Sequence, residues 1–423
     1  MMEQKHIIKE KIKEQLHKRL PASVFLHDAS VSEMELRRII AEATSIVLRK
    51  DRTIKLSADE QGVIVDEIVN EILGLGSIEG LLSDESVTEI MINGPKQVYI
   101  EKGGKLELTD IHFRNDEELM FMIEKMLAPL GRRVNETEPY VDTRLKDGFR
   151  VNIVIPPTSA MGPVISIHKF SHKIFSVEEL IKFKTLTKEA AEFLQVCVAS
   201  RLNILISGGT SSGKTSLLNV LSSFIPKDER IIVIEDTLEL RLVLKHVVRL
   251  ESKAPNIEGK GEITIRDLLK NSLHMRPDRI IIGEIRGEEV LDMLQTMNTG
   301  HEGSMTTLHA NAPYEALNRI ELMALMGAGS NVSSQVIMRQ IISAVDLIVH
   351  LERSAEGRRC ITHITEVGKE KTDEYVLRDI FCLKDKISND ISGNSEFRST
   401  GTVPSFYDKL KRSGYNNPNF KTR

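Results

Sequence analysis

Apolar side chains follow helical spacing near the start of the chain and form strand-like runs further along it. Over residues 1–56 they recur three and four positions apart among many charged residues, which predicts charged helices. The same spacing continues from 57 and stops at Gly74 and Gly76, where glycine is typical of a helix end. The pattern therefore predicts an N-terminal helical extension over 1–56. It leaves open whether that extension is solvated or serves as a docking element.

Helices and short strands are mixed in the next part of the chain. The strand-like runs cover 89–93, 97–100, 149–155 and 164–168, and a helical segment covers 119–130. Glycine and proline separate several of these runs, as expected for turns between strands. We therefore expect a small mixed α/β domain over 57–168. A linker is expected over 169–178, because the strand pattern resumes after Pro156 and Pro157 but not after 169.

From 179 onward, almost continuous apolar runs alternate with helical segments. The runs cover 203–207, 231–235, 279–283 and 347–351. Such runs are typical of parallel strands that helices cover on both faces. This pattern predicts an α/β domain with a parallel sheet over 179–383. The polar, Ser/Asn-rich stretch 384–400 begins a C-terminal tail, 384–423, that we expect to be partly disordered.

Composition narrows the class of protein. A chain of 423 residues exceeds the size of a single hydrophobic core, which agrees with more than one domain. The formal net charge of −4 gives no whole-chain argument for binding nucleic acid or an acidic membrane. The three cysteines form neither metal-ligand spacing nor a disulfide framework, which favours a reducing cytoplasm. We find no signal peptide and no apolar run of about 20 residues, so we expect no membrane span and a membrane role only through a partner.

The strongest motif is a glycine-rich loop that follows one apolar run and precedes a helix. It consists of Gly208, Gly209, Thr210, Ser211, Ser212, Gly213, Lys214 and Thr215, and the helix continues from Ser216. Glycines let backbone N–H groups face phosphates, and the helix N-terminus adds the positive end of its dipole. In this motif Lys214 contacts the β- and γ-phosphates and Thr215 binds Mg²⁺. The loop therefore predicts an ATP site, and a Gly/Ser loop without function is a poor alternative between a strand and a helix.

Acidic residues stand directly after two further apolar runs. Glu235, Asp236 and Glu239 follow the second run, and Glu284 follows the third in the sequence Gly-Glu-Ile-Arg-Gly. Ligands bind at the carboxyl ends of strands in an open α/β sheet. The first group either holds Mg²⁺ or activates a water molecule, or it only caps the next helix. Glu284 has the position of a Walker B acid, which orients Mg²⁺ through water.

Histidines and arginines are further candidates. His301 and His309 are flanked by small hydroxyl residues, which is compatible with a sensor that hydrogen-bonds phosphate or water, and equally with two structural histidines. Four arginines occur together before the glycine-rich loop, at Arg132, Arg133, Arg144 and Arg150. An arginine aimed at the γ-phosphate assists phosphoryl transfer. Taken alone, these residues favour a solvated basic loop.

The order of these elements resembles the secretion ATPase superfamily, which drives type II secretion, type IV pili and type IV secretion. The elements are the P-loop, the acidic box at 235–239, the Gly-Glu-Ile-Arg-Gly sequence and the two-histidine segment. Within the superfamily, the chain is most similar to the CpaF group of Tad/Flp pilus assembly ATPases. The segments that carry this similarity are 86–94, 142–157, 276–280 and 400–406. The resemblance covers the chain from near the start of the predicted α/β domain to its end.

The resemblance implies a homohexamer in which each chain has an α/β domain followed by a RecA-like motor domain, with nucleotide held between them. The implied site residues are the base Glu239, the Mg²⁺-positioning acid Glu284, the histidines His301 and His309, and the γ-phosphate arginines Arg144 and Arg150. The implied function is ATP hydrolysis in the cytoplasm that drives pilus assembly or secretion through an inner-membrane platform protein. No contact with nucleic acid is implied.

The sequence departs from the group's pattern in two ways, and several alternative functions are to be weighed. His168 and His274 stand where the group has arginine, and the tetracysteine zinc site of type II secretion ATPases is missing, which argues against that branch. A type IV secretion traffic ATPase is one alternative. A RecA-like nucleic-acid translocase is disfavoured, because aromatic residues make up only 4% of the chain and leave few platforms for stacked bases. The intact Lys214, Glu239 and Glu284 disfavour a nucleotide-binding scaffold without turnover.

Overall fold

The computed structural model describes the chain over 8–9, 11–12, 14–16, 33–51, 56–72, 74–145, 147–169, 175–253, 255, 259–329, 332–354, 357–370, 374–383 and 397–415. The chain divides into two compact units, Met1–Ser171 and His172–Arg423. The division falls within 169–178, where the sequence pattern predicts a linker. Among the helices in the described ranges, none combines the length and the apolar composition that a membrane span requires.

The first unit begins with packed helices. Helix α1 (Glu33–Lys50) and helix α2 (Ala58–Ile72) each carry apolar side chains at the spacing of one helix face. These faces bury one another together with earlier helical residues, in a cluster of Ile8, Ile12, Leu16, Leu36, Ile40, Ala43, Val47, Ile64, Ile68 and Val69. This cluster groups α2 with α1, whereas the sequence pattern predicts a domain boundary between them after residue 56, and that boundary stays a prediction.

An antiparallel sheet of six strands forms the rest of the first unit. Its strands are β1 (Val87–Asn93), β2 (Val98–Lys102), β3 (Lys105–Leu108), β4 (Tyr140–Arg144), β5 (Arg150–Val154) and β6 (Val164–His168). They lie in the order β3-β2-β1-β6-β5-β4, and each neighbouring pair is antiparallel. The short helix α3 (Glu79–Ser83) precedes β1, and helix α4 (Asp116–Leu127) buries its apolar face against the sheet.

Most of this sheet is predictable from its pattern of buried residues. The four predicted strands are confirmed as β1, β2, β5 and β6, and the predicted helix is confirmed as α4. Strands β3 and β4 are missed. They are the two edge strands, β3 is exposed throughout, and β4 contains no buried residue. Without a buried face, neither strand shows the alternation that identifies a strand in sequence.

A nine-stranded mixed sheet forms the centre of the second unit. Its strands are β7 (Ile204–Gly208), β8 (Ile231–Glu235), β9 (Val247–Glu251), β10 (Arg279–Ile282), β11 (Met305–His309), β12 (Leu347–Arg353), β13 (Arg359–Val367), β14 (Leu377–Leu383) and β15 (Phe397–Ser399). In the order β15-β14-β13-β12-β7-β11-β10-β8-β9, the strands from β12 to β9 are parallel. Strands β13, β14 and β15 each pair antiparallel with the strand that precedes them. The connections before β13 and β14 are short, whereas a parallel pair needs a longer crossover connection. The predicted parallel sheet is confirmed for the strands from β12 to β9 and is extended into a mixed sheet.

Helices cover both faces of this sheet. They are α5 (Val177–Lys182), α6 (Lys188–Ala199), α7 (Lys214–Ser222), α8 (Ile265–Ser272), α9 (Glu289–Asn298), α10 (Pro313–Ala328), α11 (Ser334–Ala344) and α12 (Tyr407–Arg412). Alternate residues of β7 enter two cores: Ile204 and Ile206 pack with α6 and α7, whereas Leu205 packs with α9, α10 and α11. The sheet is therefore buried on both faces, as its continuous apolar strands predict.

Part of the predicted C-terminal tail belongs to this fold. Strand β15 pairs with β14, and Tyr407 and Leu410 of α12 are buried in the same core as α6. The predicted tail is therefore corrected over 397–415, where apolar residues scattered among polar ones pack against the sheet. Residues 384–396 and 416–423 of that prediction lie outside the described residues.

Candidate nucleotide site

The glycine-rich loop joins β7 to α7 at the carboxyl edge of the sheet. Ser211 and Gly213 have φ values of 54° and 97°, and glycine adopts this left-handed conformation without strain at the cap of α7. Gly208 meets a different requirement, because a Cβ there would lie 2.5 Å from Leu351 O of the adjacent strand β12. The loop therefore turns tightly beside β12 before it enters α7.

Lys214 is the first residue of α7, and its side chain folds back over the loop. Its Nζ donates to Gly208 O at 3.1 Å and to Gly209 O at 2.8 Å, and it lies 3.3 Å from His309 Nδ1. Burial lowers the Lys214 pKa to about 8, although the charge of Glu284 acts in the opposite direction. A cation is thus held against the turn of the loop.

The loop and the first turn of α7 are suited to bind an anion. Gly213, the N-cap, makes no side-chain cap hydrogen bond, so the N–H groups of the first turn point out of the positive end of the helix dipole. Ser212 Oγ is buried and has no hydrogen-bond partner among the described residues. Gly209 and Thr210 are exposed at the tip of the loop. Together these groups form a cradle of donors for phosphate oxygens.

Glu284 follows β10 and lies among groups of opposite charge. Its Oε2 accepts from Arg286 Nε at 2.8 Å, and its Oε1 lies 2.7 Å from His309 Nε2. Thr307 of the neighbouring strand β11 donates its hydroxyl to Gly283 O at 2.7 Å, which fixes the backbone directly before Glu284. This carboxylate is partly exposed and is therefore accessible to a bound cation.

His309 lies between Lys214 and Glu284. Strands β7 and β11 are parallel, and their register places His309 beside Gly208 at the start of the loop. Burial lowers the His309 pKa, and the nearby Lys214 ammonium lowers it further. The imidazole is therefore neutral at neutral pH, with Nδ1 accepting from Lys214 and Nε2 lying 2.7 Å from Glu284 Oε1. This contact chain joins the cation of the loop to Glu284, the predicted Walker B acid.

Glu235 ends β8 and begins the acidic box. Its Oε1 accepts from the backbone N–H of Glu239 at 2.9 Å and from that of Leu240 at 2.8 Å. Burial raises the Glu235 pKa to about 7, although these two hydrogen bonds act in the opposite direction. Glu239 is partly exposed, and its charge raises the Lys214 pKa, so the two side chains lie within electrostatic reach of each other. Asp236 is exposed and accepts from a serine hydroxyl at 3.0 Å.

His301 lies at the opposite edge of the sheet from His309. Strand β11 runs between them, with Met305 beside Ile204 and His309 beside Gly208. The strand alone spans about 13 Å, and His301 lies outside it, before Met305. Within one chain, His309 lies beside the start of the loop and His301 lies beyond the other end of the strand, and the role predicted for the two histidines stays a prediction. The strand escapes the sequence pattern because hydroxyl residues interrupt its apolar run.

The arginines predicted to reach a γ-phosphate belong to the first unit. Arg144 and Arg150 are paired across the β4–β5 hairpin. Arg150 donates twice to the Asp142 carboxylate, at 3.1 and 2.7 Å, and Arg144 Nε donates to Gly148 O at 2.8 Å. Both guanidinium groups thus make hydrogen bonds within the hairpin. Their contact with a γ-phosphate stays a prediction.

The remaining basic candidates are Arg132, Arg133, His168 and His274. Arg132 and Arg133 follow the turn after α4. His168 Nδ1 lies 3.1 Å from Glu89 Oε1 on the paired strand β1, so this histidine makes a polar contact between two strands. His274 is exposed in the 3-10 turn that precedes β10.

Two arginines that the sequence pattern does not single out lie near the loop. Arg359 of β13 donates its Nε to Ser211 O at 2.8 Å. Arg319 of α10 is exposed, and its charge lowers the pKa of both Lys214 and His309. The sequence could have identified Arg319 as a candidate, because its helix begins just after His309. Arg359 could not be identified in this way, because it reaches the loop only through the antiparallel strand β13.

The site also fits Mg²⁺ in complex with a nucleotide. Within the described ranges, no group of three or more His, Cys, Asp or Glu side chains is arranged to hold a metal ion. Mg²⁺ bound with a nucleotide needs only one or two protein oxygens, since phosphates and water supply the others. Thr215 in the first turn of α7 and the Glu284 carboxylate fit this donor set.

A glycine-rich loop that carries a lysine and faces an acid and a histidine, at the carboxyl edge of an α/β sheet, defines a P-loop nucleotide-binding protein. Comparison with known families adds the biological context. A sequence model of the family described as "Type II/IV secretion system protein" matches residues 71–384. The chain belongs to this family.

Individual relatives match over most of their length. The chain is 32% identical to the conjugal transfer protein TrbB of Rhizobium radiobacter over 299 residues, which is 70% of this chain and 88% of TrbB. It is 31% identical to the type IV secretion system protein VirB11 of Bartonella quintana over 345 residues, which is 73% of this chain and 94% of VirB11. The crystal structure of the pilus retraction motor PilT with bound ADP has a similar fold, with a TM-score of 0.50 and 19% identity over 71% of this chain and 82% of PilT. The secretion superfamily inferred from the motifs is confirmed, and membership of the CpaF group stays a prediction.

Proposed function

We propose that the chain is a cytoplasmic motor that hydrolyses ATP and drives pilus assembly or protein secretion through an inner-membrane platform protein. The observation that carries this proposal is the contact chain Lys214–His309–Glu284 at the P-loop. It joins the residue type that holds the β- and γ-phosphates to the residue type that positions Mg²⁺. Membership of the type II/IV secretion family supports the proposal.

ATP binding uses groups that already line the loop. The backbone N–H groups of 208–213 and of the first turn of α7 receive the phosphate oxygens, and Ser212 and Ser216 add hydroxyl groups. Lys214 moves from the loop carbonyls to the β- and γ-phosphates. Thr215 and Glu284 would hold Mg²⁺, the latter through water, and the bound ion would neutralise charge on the phosphates.

Hydrolysis needs a base beside the γ-phosphate. Glu239 is the proposed base, because it is partly exposed at the carboxyl edge of the sheet and lies within electrostatic reach of Lys214. Neutral His309 lies between Lys214 and Glu284 and keeps the two charges near each other as Lys214 turns from the loop carbonyls to the phosphates. This arrangement reduces the reorganisation that the reaction requires.

Movement is proposed to come from closure around ATP in a homohexamer. Arg144 and Arg150 would exchange their hairpin contacts for the γ-phosphate of a site that closes on them. A contact made only in the closed state gives ATP a different affinity for the open and closed states. ATP binding and hydrolysis then shift the subunits between those states.

Two systems are candidates for the work of this motor. The segments that resemble the CpaF group favour Tad/Flp pilus assembly. The relatives TrbB and VirB11 are named for conjugal transfer and type IV secretion, and they favour a type IV secretion traffic ATPase as the second candidate. Copurification of the full chain with membrane proteins of its host separates the two. Recovery of a pilus platform protein supports the first, and recovery of type IV secretion components supports the second.

Turnover by the purified full chain tests the chemistry. Glu239→Gln should reduce kcat by about a hundredfold or more while ATP still binds, because the base is lost and the phosphate contacts are not. Asp236→Asn is the matched control, since Asp236 is a neighbouring acid with an exposed side chain, and it should keep turnover near wild type. Equal turnover in Glu239→Gln and wild type would rule out this base. Stimulation of turnover by DNA would favour a nucleic-acid translocase instead.

A further inference from the structure

Glu235 and Gly283 lie side by side at the ends of two neighbouring strands. Strands β8 and β10 are parallel with Ile234 beside Ile282, so the next residue of each strand leaves the sheet at the same edge. The two segments are also bonded there, because Gly283 N donates to Ile234 O at 2.9 Å. Glu235 begins the acidic box and Gly283 directly precedes Glu284. The pair therefore connects the two acidic segments of the site.

The Glu235 side chain occupies the space in which a side chain at position 283 would begin. A Cβ at 283 would lie 2.9 Å from Cγ, 3.4 Å from Oε1 and 3.5 Å from Cβ of Glu235. Gly283 does not have a positive φ, so its backbone conformation does not require glycine. The atom in closest contact is near the backbone of Glu235 and cannot swing aside as a side-chain terminus does. The absence of a side chain at 283 is therefore explained by Glu235.

Glu235 in turn holds the segment that carries Glu239. Residues 236–246 form neither helix nor strand. Glu235 Oε1 accepts from two consecutive amides of this segment, those of Glu239 and Leu240. The residue is only 2% exposed, and its Oε2 lies 3.8 Å from Arg249 Nη2. A carboxylate buried in this way acts on the reaction through Glu239 and not by contact with the attacking water.

We propose that Glu235 is a positioning residue that holds Glu239 at the nucleotide site, and that Gly283 provides the space this requires. The inference rests on the proposed function, because Glu239 is a base only if the chain hydrolyses ATP. It also explains why Gly-Glu occupies the Walker B position, since any larger residue before Glu284 would displace Glu235. Loss of the Glu235 acceptor releases two amides at once and lets Glu239 leave its working position.

Steady-state ATP turnover by variants of the full chain tests the positioning role. Glu235→Ala removes the acceptor, and we expect kcat to fall about tenfold to a hundredfold while KM for ATP changes less than about threefold. Glu235→Gln keeps an oxygen that can accept from both amides, and it should recover kcat to within about threefold of wild type. Glu251→Ala is the matched control. Glu251 Oε1 also accepts from this segment, at Leu238 N, but over 3.3 Å and from an exposed position, so a smaller loss is expected.

Gly283→Ala tests the shared space independently. In the wild-type background it should lower kcat in the same way as Glu235→Ala, because the new methyl group displaces the glutamate. Added to Glu235→Ala, it should lower kcat by less than about twofold further, because the truncated side chain leaves room for the methyl group. If Glu235→Ala does not fold, a lower kcat with unchanged KM in Gly283→Ala decides the question alone.

Three results would overturn the inference. The first is an equal loss of kcat in Glu235→Gln and Glu235→Ala. The second is a double variant whose loss of kcat equals the product of the losses in Glu235→Ala and Gly283→Ala. The third is normal turnover by Glu235→Ala in a chain whose wild type is active, which leaves the proposed function intact. If the wild-type chain shows no ATP turnover that requires Lys214, the proposed function is overturned, and the inference with it. ATP affinity measured on each variant shows that the nucleotide site is folded.

Discussion

The parallel strands of the nine-stranded sheet define one edge where they begin and a carboxyl edge where they end. Both edges carry charged residues, but those residues differ in their partners and in their exposure. At the edge where β10 begins, Arg279 is fully buried and donates to Glu229 Oε2 at 2.5 Å, to Glu229 Oε1 at 3.0 Å and to Val198 O at 2.6 Å. Arg201 Nη2 lies 3.3 Å from the same carboxylate. Each of these charges is paired, and the Arg279–Glu229 pair is closed to solvent.

At the opposite edge, the buried Lys214 meets His309 and Glu284, whose side chains are partly exposed. Burial lowers the pKa of Lys214 to about 8 and also lowers that of His309, while it raises the pKa of Glu235 to about 7. Groups held away from their ordinary protonation behaviour are typical of functional sites. The difference between the edges shows that a buried charge alone does not identify a site. A site needs perturbed charges at an accessible edge.

The largest effect is expected from Lys214→Ala at the accessible edge. Removal of the ammonium that is proposed to contact the β- and γ-phosphates should reduce kcat/KM for ATP by about a thousandfold or more. Lys245→Ala is the control, since Lys245 is an exposed lysine of the same unit, and it should hydrolyse ATP as wild type does. Phosphate release measures turnover and circular dichroism checks folding. Wild-type turnover in folded Lys214→Ala would contradict the claim that the perturbed charges at the carboxyl edge mark the functional site.

Arg279→Ala is the corresponding change at the closed edge, and it should act on stability. Removing Arg279 leaves the buried Glu229 carboxylate with the partly exposed Arg201 in place of its buried, twofold-donating partner, which costs about 3–5 kcal/mol of unfolding free energy. Arg201→Ala, at the partly exposed rim of the same network, should cost less than about 1 kcal/mol. Urea unfolding followed by circular dichroism measures both. Equal costs for the two variants would show that burial does not set the energy of this network.

Local patterns predict the parts of the site that follow directly from single strands. The P-loop, Glu239 and Glu284 each stand after an apolar run, and the parallel strands bring their ends together at one edge as expected. The pairing of Glu235 with Gly283 is invisible in sequence, because it depends on the register between β8 and β10. A residue pattern shows where a strand ends, but not which side chain fills the space beside its neighbour.

The parts of the fold that sequence misses are those without a local signal. Strand β3 is exposed at a sheet edge and so lacks alternation, and β15 lies beyond a polar segment. The two histidines are only eight positions apart in sequence (309 minus 301), and proximity in sequence suggests one box. Strand β11 separates them, because an extended chain carries successive residues far apart. Distance in sequence therefore misleads most where a strand intervenes.

The two histidines sharpen the comparison, because they lie at opposite ends of one strand. His309→Ala removes the neutral group between Lys214 and Glu284, and we expect kcat to fall about thirtyfold. His301→Ala, at the other edge, should stay within about threefold of wild type for the isolated chain. Steady-state ATP hydrolysis at saturating nucleotide measures both. Equal loss in the two variants would show that His301 reaches a nucleotide site by a route that one chain does not contain.

The smallest effect concerns the pH dependence of stability that Glu235 produces at the accessible edge. Its pKa is raised from 4.5 to about 7, so the folded chain holds the proton more tightly than the unfolded chain. The stability that Glu235 contributes is therefore present at low pH and is lost as pH rises through about 7. Glu235→Gln cannot ionise and should gain about 2 kcal/mol relative to wild type between about pH 5.5 and about pH 7.5.

Urea unfolding at a series of pH values measures this gain, and Asp236→Asn is the control because Asp236 is exposed. The control should change stability equally at all these pH values, since solvent screens an exposed carboxylate. A flat difference for Glu235→Gln would show that Glu235 is ionised in the folded chain as readily as in the unfolded one. The hydrogen bonds that Glu235 accepts from Glu239 and Leu240 would then offset the effect of burial on its pKa. The perturbed groups that distinguish this edge from the Arg279 network would then be Lys214 and His309.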